Sequence, residues 1–194
     1  MFVAVDGPNG VGKTATVERV TEELRRQGHD VQALRQPSDS DLGRFVRAAE
    51  HGFRGLSLAI LVVADRLVQV ATDIRPALAA GRTVICDRHV ASTLVLQRLD
   101  GLDLEALWQM NADVPMPDLQ VILLASPEVL KVRLDERGRF SRFERSEGIE
   151  ELEVLYYRET ADWLRARGQP VLTIETDRGS VDEIAAEVIE ALGR

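Results

Sequence analysis

Eight consecutive residues near the start of the chain, Gly7-Pro8-Asn9-Gly10-Val11-Gly12-Lys13-Thr14, carry the spacing G-x-x-x-x-G-K-[ST]. Each fixed position has a physical reason. Glycines at 7, 10 and 12 let the backbone curl with its N–H groups pointing inward, through Asn9 and Val11, at the positive end of the helix that follows. Lys13 then reaches the β- and γ-phosphates of a bound nucleotide, and the Thr14 hydroxyl sits on Mg²⁺. A plain Gly-rich turn is the competing account. The motif follows an apolar strand-like run, Phe2 to Asp6, and opens a helical one, which is the context the mechanism needs. ATP and Mg²⁺ are therefore the expected ligands.

A second constellation is Asp87-Arg88-His89, at the end of another apolar run. There Asp87 can orient Mg²⁺ or its waters, and Arg88 can grip a substrate phosphate in bidentate fashion. A surface Asp–Arg pair is the competing account, and His89 reads as a packing or capping residue. A third cluster is basic: Arg133, Arg137, Arg139, Arg142 and Arg145 crowd a polar segment around Gly138 in a chain of net charge −8. The pattern predicts a mobile loop, although charge runs more often form solvated faces.

Strands and helices alternate in the way that positions such groups. Five strands are predicted at Phe2 to Asp6, Val31 to Arg35, Thr83 to Asp87, Leu119 to Ala125 and Pro170 to Glu175. Helices are predicted to start near Lys13, Leu42, Leu56, Ser92, Leu104, Pro127, Gly148 and Ser180. This is the rhythm of an α/β fold with a five-stranded parallel sheet covered by helices on both faces, here a P-loop NTPase fold. The 194 residues fit one domain. The acidic balance disfavours nucleic acid or an anionic membrane as a partner. No leader and no apolar run of about 20 residues stands out, so the expected location is the cytoplasm. Cys86 lies inside a strand, where a buried thiol without basic neighbours is expected to be inert.

At this point the chain resembles the thymidylate kinase family nearly end to end. The resemblance is carried by Phe2 to Gly7 leading into the P-loop, Arg35-Gln36-Pro37, Ala64-Asp65-Arg66, Asp87-Arg88-His89-Val90-Ala91-Ser92-Thr93, Pro117-Asp118-Leu119, Ser126-Pro127-Glu128-Val129 and Arg142-Phe143-Glu144. It implies transfer of the ATP γ-phosphoryl group to a nucleoside monophosphate. Arg88 inherits the contact to the acceptor phosphate, and Arg66 becomes an acceptor-site residue, with a helix-surface bridge to Asp65 as its alternative. The motifs place Arg35, Pro37 and Ser92 around the same acceptor. The basic segment, about 137–147, becomes a lid. No arginine stands among Pro8 to Val11, so the lid must supply the cation that stabilises the migrating phosphoryl group, with Arg137, Arg139 and Arg142 as candidates. Glu144 has two openings, to assist Mg²⁺ or to position the lid. The resemblance also implies a homodimer formed through the apolar stretch Leu56 to Ala80, which would look the same if it were a core helix.

Departures from the family cluster at the acceptor. The acid the family places at the third P-loop position, near the acceptor 3′-hydroxyl, is Asn9, which brings no charge. The aromatic that stacks on thymine is Val62, and the tyrosine after Asp-Arg-His-x-x-Ser is Leu96. The expected acceptor is therefore dTMP or a modified or different nucleotide. Two other readings stay open. One is a nucleoside kinase, which needs a carboxylate base near a 5′-hydroxyl, with Asp6 and Asp87 placed for it. The other is a regulatory ATPase, which needs no acceptor pocket.

Overall fold

The computed structural model describes residues 1–177 and 179–193. Its centre is a five-stranded sheet built from β1 (Phe2–Asp6), β2 (Val31–Arg35), β3 (Thr83–Asp87), β4 (Leu119–Leu124) and β5 (Val171–Glu175). The strand order is β2-β3-β1-β4-β5, and every neighbouring pair runs parallel. The helices are α1 (Lys13–Arg26), α2 (Asp41–Ala49), α3 (Gly55–Gln69), α4 (Arg75–Ala79), α5 (Val90–Leu99), α6 (Leu104–Met110), α7 (Pro127–Arg137), α8 (Ile149–Ala166) and α9 (Val181–Leu192). Each strand boundary agrees with the sequence reading to within one residue.

The two-residue period of the strands decides which layer each side chain joins. Val3 and Val5 of β1 pack with Val17, Val20 and Leu24 of α1 and with Ile184 and Val188 of α9. Phe2 turns the other way, into a second core with Val84 and Cys86 of β3, Ala59 of α3 and Leu94 of α5. Burial pushes the Cys86 thiol well up, which suits the inert role expected of it.

One stretch departs from the reading. Gly55–Ala79 runs as a single helical rod, α3 and α4 joined by a π-helical turn at Val70–Ile74. By length and composition it could cross a membrane, its most apolar 18-residue stretch having mean hydropathy 1.6, although no apolar run of that kind was expected. Asp65, Arg66 and Gln69 interrupt the apolar run, and these three are buried and hydrogen-bonded inside the protein. The rod turns these polar groups into the protein and leaves apolar side chains such as Leu56 and Ile60 exposed on its other side.

Candidate functional site

In an open parallel sheet the crevice for ligands lies beyond the carboxyl ends of the strands where the order reverses, here around β1 and its neighbours β3 and β4. The loop Gly7 to Gly12 fills that position. Gly7 has φ +150°, and a Cβ there would lie 2.3 Å from the Leu123 carbonyl oxygen, so only glycine lets the loop pass so close to β4. Gly12, at φ +101°, turns the chain into α1. Lys13 is buried, and its Nζ donates to the carbonyls of Gly7 at 2.9 Å and Pro8 at 2.7 Å. Burial, with the Arg88 guanidinium nearby, pushes its ammonium down to about 7.

Thr14 Oγ1 donates to Asp87 Oδ2 at 2.5 Å. The other carboxylate oxygen, Asp87 Oδ1, is buried without a hydrogen-bond partner. One carboxylate with a free oxygen beside a hydroxyl at the phosphate cradle is a donor set that fits Mg²⁺, which takes few protein ligands and completes its shell with waters and phosphates. Among the described residues no group of three or more His, Cys, Asp or Glu forms a metal cage. Glu144 does not join this pair. Its Oε1 accepts from Arg137 at 2.7 Å and its Oε2 from the Phe140 and Ser141 backbones at 2.8 and 3.3 Å, so the carboxylate caps the 3₁₀ turn Arg142–Arg145 and shapes the lid.

Arg88 is the other pivot. It is a non-glycine residue at φ 71°, a backbone state that costs on the order of 1–3 kcal/mol and persists at functional sites. Its Nη2 donates to Asn9 Oδ1 at 2.7 Å and its Nη1 to Ser92 Oγ at 3.1 Å. Asn9, Asp87 and Arg88 line two cavities at once. One lies over the P-loop and also meets Lys13, Thr14, Arg133 and Arg137. The second, of about 270 Å³, is lined by Arg35, Pro37, Val62, Arg66, Ser92 and Leu96, among others. Six sequence-predicted residues, from β2, the loop after it, α3 and α5, thus face one cavity.

Arg66 lies on the floor of that cavity, 2% exposed. Its Nε donates to Gln36 Oε1 at 2.7 Å, its Nη1 to Asn111 Oδ1, and its Nη2 to the His89 carbonyl and Thr93 Oγ1 at 3.0 and 2.8 Å. Burial pulls its pKa down to about 10. The surface bridge to Asp65 offered as its alternative does not form: Asp65 instead accepts from the Ser38 N–H and hydroxyl at 2.7 and 2.6 Å, tying the loop after β2 to α3. Arg35 reaches the cavity wall while paired with Asp39.

Asp6 is placed behind the site. It is fully buried, and it accepts from the His89 N–H, Ser92 Oγ and Gln120 Nε2. A carboxylate so occupied secures the start of α5 and offers no free oxygen to a substrate hydroxyl. His89 packs edge-on against Phe2, with Nε2 3.1 Å from the Pro115 carbonyl, and burial lowers its pKa to about 3, which keeps it neutral.

The lid arginines divide. Arg137 faces the P-loop cavity while bonded to Glu144. Arg139 turns to Asp135, Glu150 and the Glu144 carbonyl, and Arg142 pairs with Asp100, so neither of these two lines the P-loop cavity. The expected mobile basic loop is instead laced by ion pairs. Arg133, on the α7 face one turn before Arg137, was not singled out as a site residue, yet it lines the P-loop cavity. The i, i+4 spacing was its signal.

Two further groups were missed. Gln97 is 3% exposed, lines the second cavity, and its carboxamide has no hydrogen-bond partner among the described residues. Its signal was again helical spacing, since 92, 93, 96 and 97 share one face of α5. Glu153 of α8 is 2% exposed and accepts from the Asn9 backbone N–H and from Asn9 Nδ2, both at 2.7 Å. Nothing local in the sequence distinguishes it from the other glutamates of that helix.

The family profile described as Thymidylate kinase matches residues 5–188. A protein of Synechococcus sp. named "Thymidylate kinase" is 38% identical over 149 residues, which is 73% of this chain and 72% of the relative. One of Clavibacter sepedonicus with the same name is 36% identical over 153 residues, covering 74% and 72%. A Pyrobaculum aerophilum protein named "Probable thymidylate kinase" is 30% identical over 198 residues, covering 100% and 96%.

Proposed function

The chain belongs to the thymidylate kinase family, and we propose that it transfers the γ-phosphoryl group of ATP to the phosphate of a nucleoside monophosphate, with dTMP the acceptor to test first. The observation that carries this reading is the shared wall: Asn9, Asp87 and Arg88 border both the P-loop cavity and the second cavity. A donor phosphate on one side and an acceptor phosphate on the other would meet across Arg88.

Each residue then has a role in an in-line displacement that depends on positioning and charge more than on covalent chemistry. Lys13 and the P-loop amides would hold the donor phosphates, and Thr14 and Asp87 would hold Mg²⁺, which neutralises phosphate charge when bound. Arg88 would grip the acceptor phosphate. Arg137 would face the phosphoryl group in flight, with Arg133 beside it. Ser141 and Phe143 of the lid border the acceptor cavity while Arg137 borders the donor one, so a single segment reaches both substrates. The acceptor oxygen is already anionic and needs no strong base, which suits a site whose buried Asp6 is taken up by structural bonds. The existence of an acceptor cavity disfavours a regulatory ATPase.

The base would sit among Leu58, Val62 and Leu96, an aliphatic clamp where the family stacks an aromatic, with the unpaired Gln97 carboxamide able to donate and accept at its edge. The same reading includes a homodimer in the cytoplasm, formed through α3, where Leu56, Ile60 and Leu67 are 55%, 52% and 39% exposed along one stripe. A coupled assay of ADP release across nucleoside monophosphates tests the activity. ADP formation that rises with one of them supports it, and ADP formation no faster than hydrolysis in water with all of them overturns it.

A further inference from the structure

The carboxylate that Asn9 lacks is present nearby, on another element. Glu153 projects from α8 with each carboxylate oxygen 2.7 Å from a different Asn9 nitrogen, backbone N and Nδ2. This fixes the amide. With Nδ2 committed to Glu153, Asn9 Oδ1 must face away, and it accepts from Arg88 Nη2 at 2.7 Å. The chain of contacts runs carboxylate, amide, guanidinium, and its polarity matches at every step. The assembly sits in the interior: Glu153 is 2% and Asn9 8% exposed. A reversed amide there would set two donors against each other at Arg88 and an oxygen against an oxygen at Glu153, a mismatch that burial makes costly.

We infer that Glu153 is a positioning residue of the acceptor site, holding Asn9 so that its carbonyl aligns Arg88 on the acceptor phosphate. The carboxylate has been set back behind the loop and acts through a neutral amide. Arg88 is thereby oriented by a dipole and not partnered by a directly bonded anion, which leaves more of its charge for the substrate. Burial pushes the Glu153 carboxyl up, opposed by the Asn9 N–H groups and by Lys13, as expected for a group kept out of water and held by donors. The inference rests on the kinase reading for its functional consequence, and on donor–acceptor matching alone for its structural one.

That matching sets up a double-mutant cycle with opposite expectations for the single and double changes. In Glu153→Gln the new amide accepts from the Asn9 backbone N–H and faces Asn9 Nδ2 with a donor, so the Asn9 side chain turns over and points its Nδ2 at Arg88. In Asn9→Asp, the change that restores the family's acid, two carboxylates meet in the interior. In the double variant the introduced glutamine accepts from the loop N–H through its Oε1 and donates from its Nε2 to the introduced aspartate, whose other oxygen accepts from Arg88. Every bond is restored. Each single change is expected to raise the KM for dTMP about tenfold, the effect of one mismatched buried hydrogen bond, with the change seen in KM and not in kcat. The double variant is expected to recover most of each single loss in KM, stopping short of wild type because the introduced aspartate bonds Arg88 directly as an anion.

The same cycle is read in the melting temperature of the ligand-free protein, lowered in each single variant and recovered in the double. Single effects that simply add in the double variant overturn the inference, as does a Glu153→Gln protein with unchanged KM and melting temperature. Absence of turnover by the wild type would instead refute the kinase reading and leave the melting-temperature cycle to decide the matching.

Discussion

The two halves of the site are built in different ways. The donor half is made mostly of backbone: Gly7, Gly10 and Gly12 bend one short loop into shape, and a single helix start completes it. The acceptor half is made of side chains drawn from β2, α3, α5 and the lid, held by bonds to one another. A backbone site tolerates almost no change at its glycines and any change at its variable positions that keeps the curl. A side-chain site can be rebuilt pair by pair, provided donors and acceptors still match. The difference explains why the departures from the family collect on one side of Arg88.

The largest expected effect tests the backbone half. Gly7→Ala would drive a Cβ to 2.3 Å from the Leu123 carbonyl, a contact with β4 backbone that no side-chain rotation relieves. ADP formation is expected to fall to the background of hydrolysis and ATP binding by calorimetry to vanish. A Gly7→Ala protein that binds ATP normally would break the contrast between the halves. Next in size is the lid. Arg137→Ala is expected to lower kcat about 10²-fold or more, the usual loss of one donor aimed at transition-state charge. Arg142→Ala removes the partner of Asp100, whose side chain is 7% exposed, so it should lower the melting temperature while leaving kcat within a few-fold. Equal losses of kcat in the two variants would erase the distinction drawn between them.

Arg88→Lys comes third and sharpens the boundary. A lysine keeps the charge but cannot hold Asn9 and Ser92 while gripping a phosphate with two parallel bonds. The KM for the nucleoside monophosphate is expected to rise about 10- to 100-fold, and that for ATP much less. A larger change in the ATP constant would place Arg88 on the donor side.

The same division governs what could be read from sequence. The P-loop is contiguous, so its residue types and spacing state its function directly, and the five strands follow from short apolar runs punctuated by glycine and proline. Arg88, Ser92 and Leu96 were legible because Asp-Arg-His-x-x-Ser keeps them on one short stretch. Glu153 was not, because its role depends on α8 crossing behind the P-loop, 144 residues away in sequence from Asn9. Asp6 was misplaced for a related reason. Position at the tip of β1 predicts a ligand contact, but the structure surrounds it with the His89 N–H, Ser92 and Gln120, partners supplied by α5 and β4. Glu144 and Arg139 were ambiguous since a basic segment with an acid in it gives no sign of which groups pair internally.

The smallest expected effect concerns the pH dependence of stability, and it isolates the buried carboxylate of the acceptor half. Burial raises Glu153 above 4.5, so the folded chain holds this proton more tightly than the unfolded chain does. A raised carboxyl contributes stability that is full below its unfolded pKa and is lost as pH rises through the folded one. Glu153→Gln has no such proton. The unfolding free energy of wild type minus that of the variant, measured by denaturant titration at a series of pH values, should therefore fall as pH rises from about 4.5, by at most about 1.4 kcal/mol per pH unit, and then level off. Lys13 faces Glu153 and is held up by its charge, so the variant lowers the Lys13 ammonium further, and that change acts on the difference in the same direction as pH rises. A difference that rises with pH would mean that the Asn9 donors and nearby cations outweigh burial. Glu153 would then be an ordinary stabilised anion, and the acceptor half would hold its charge as easily as a surface does.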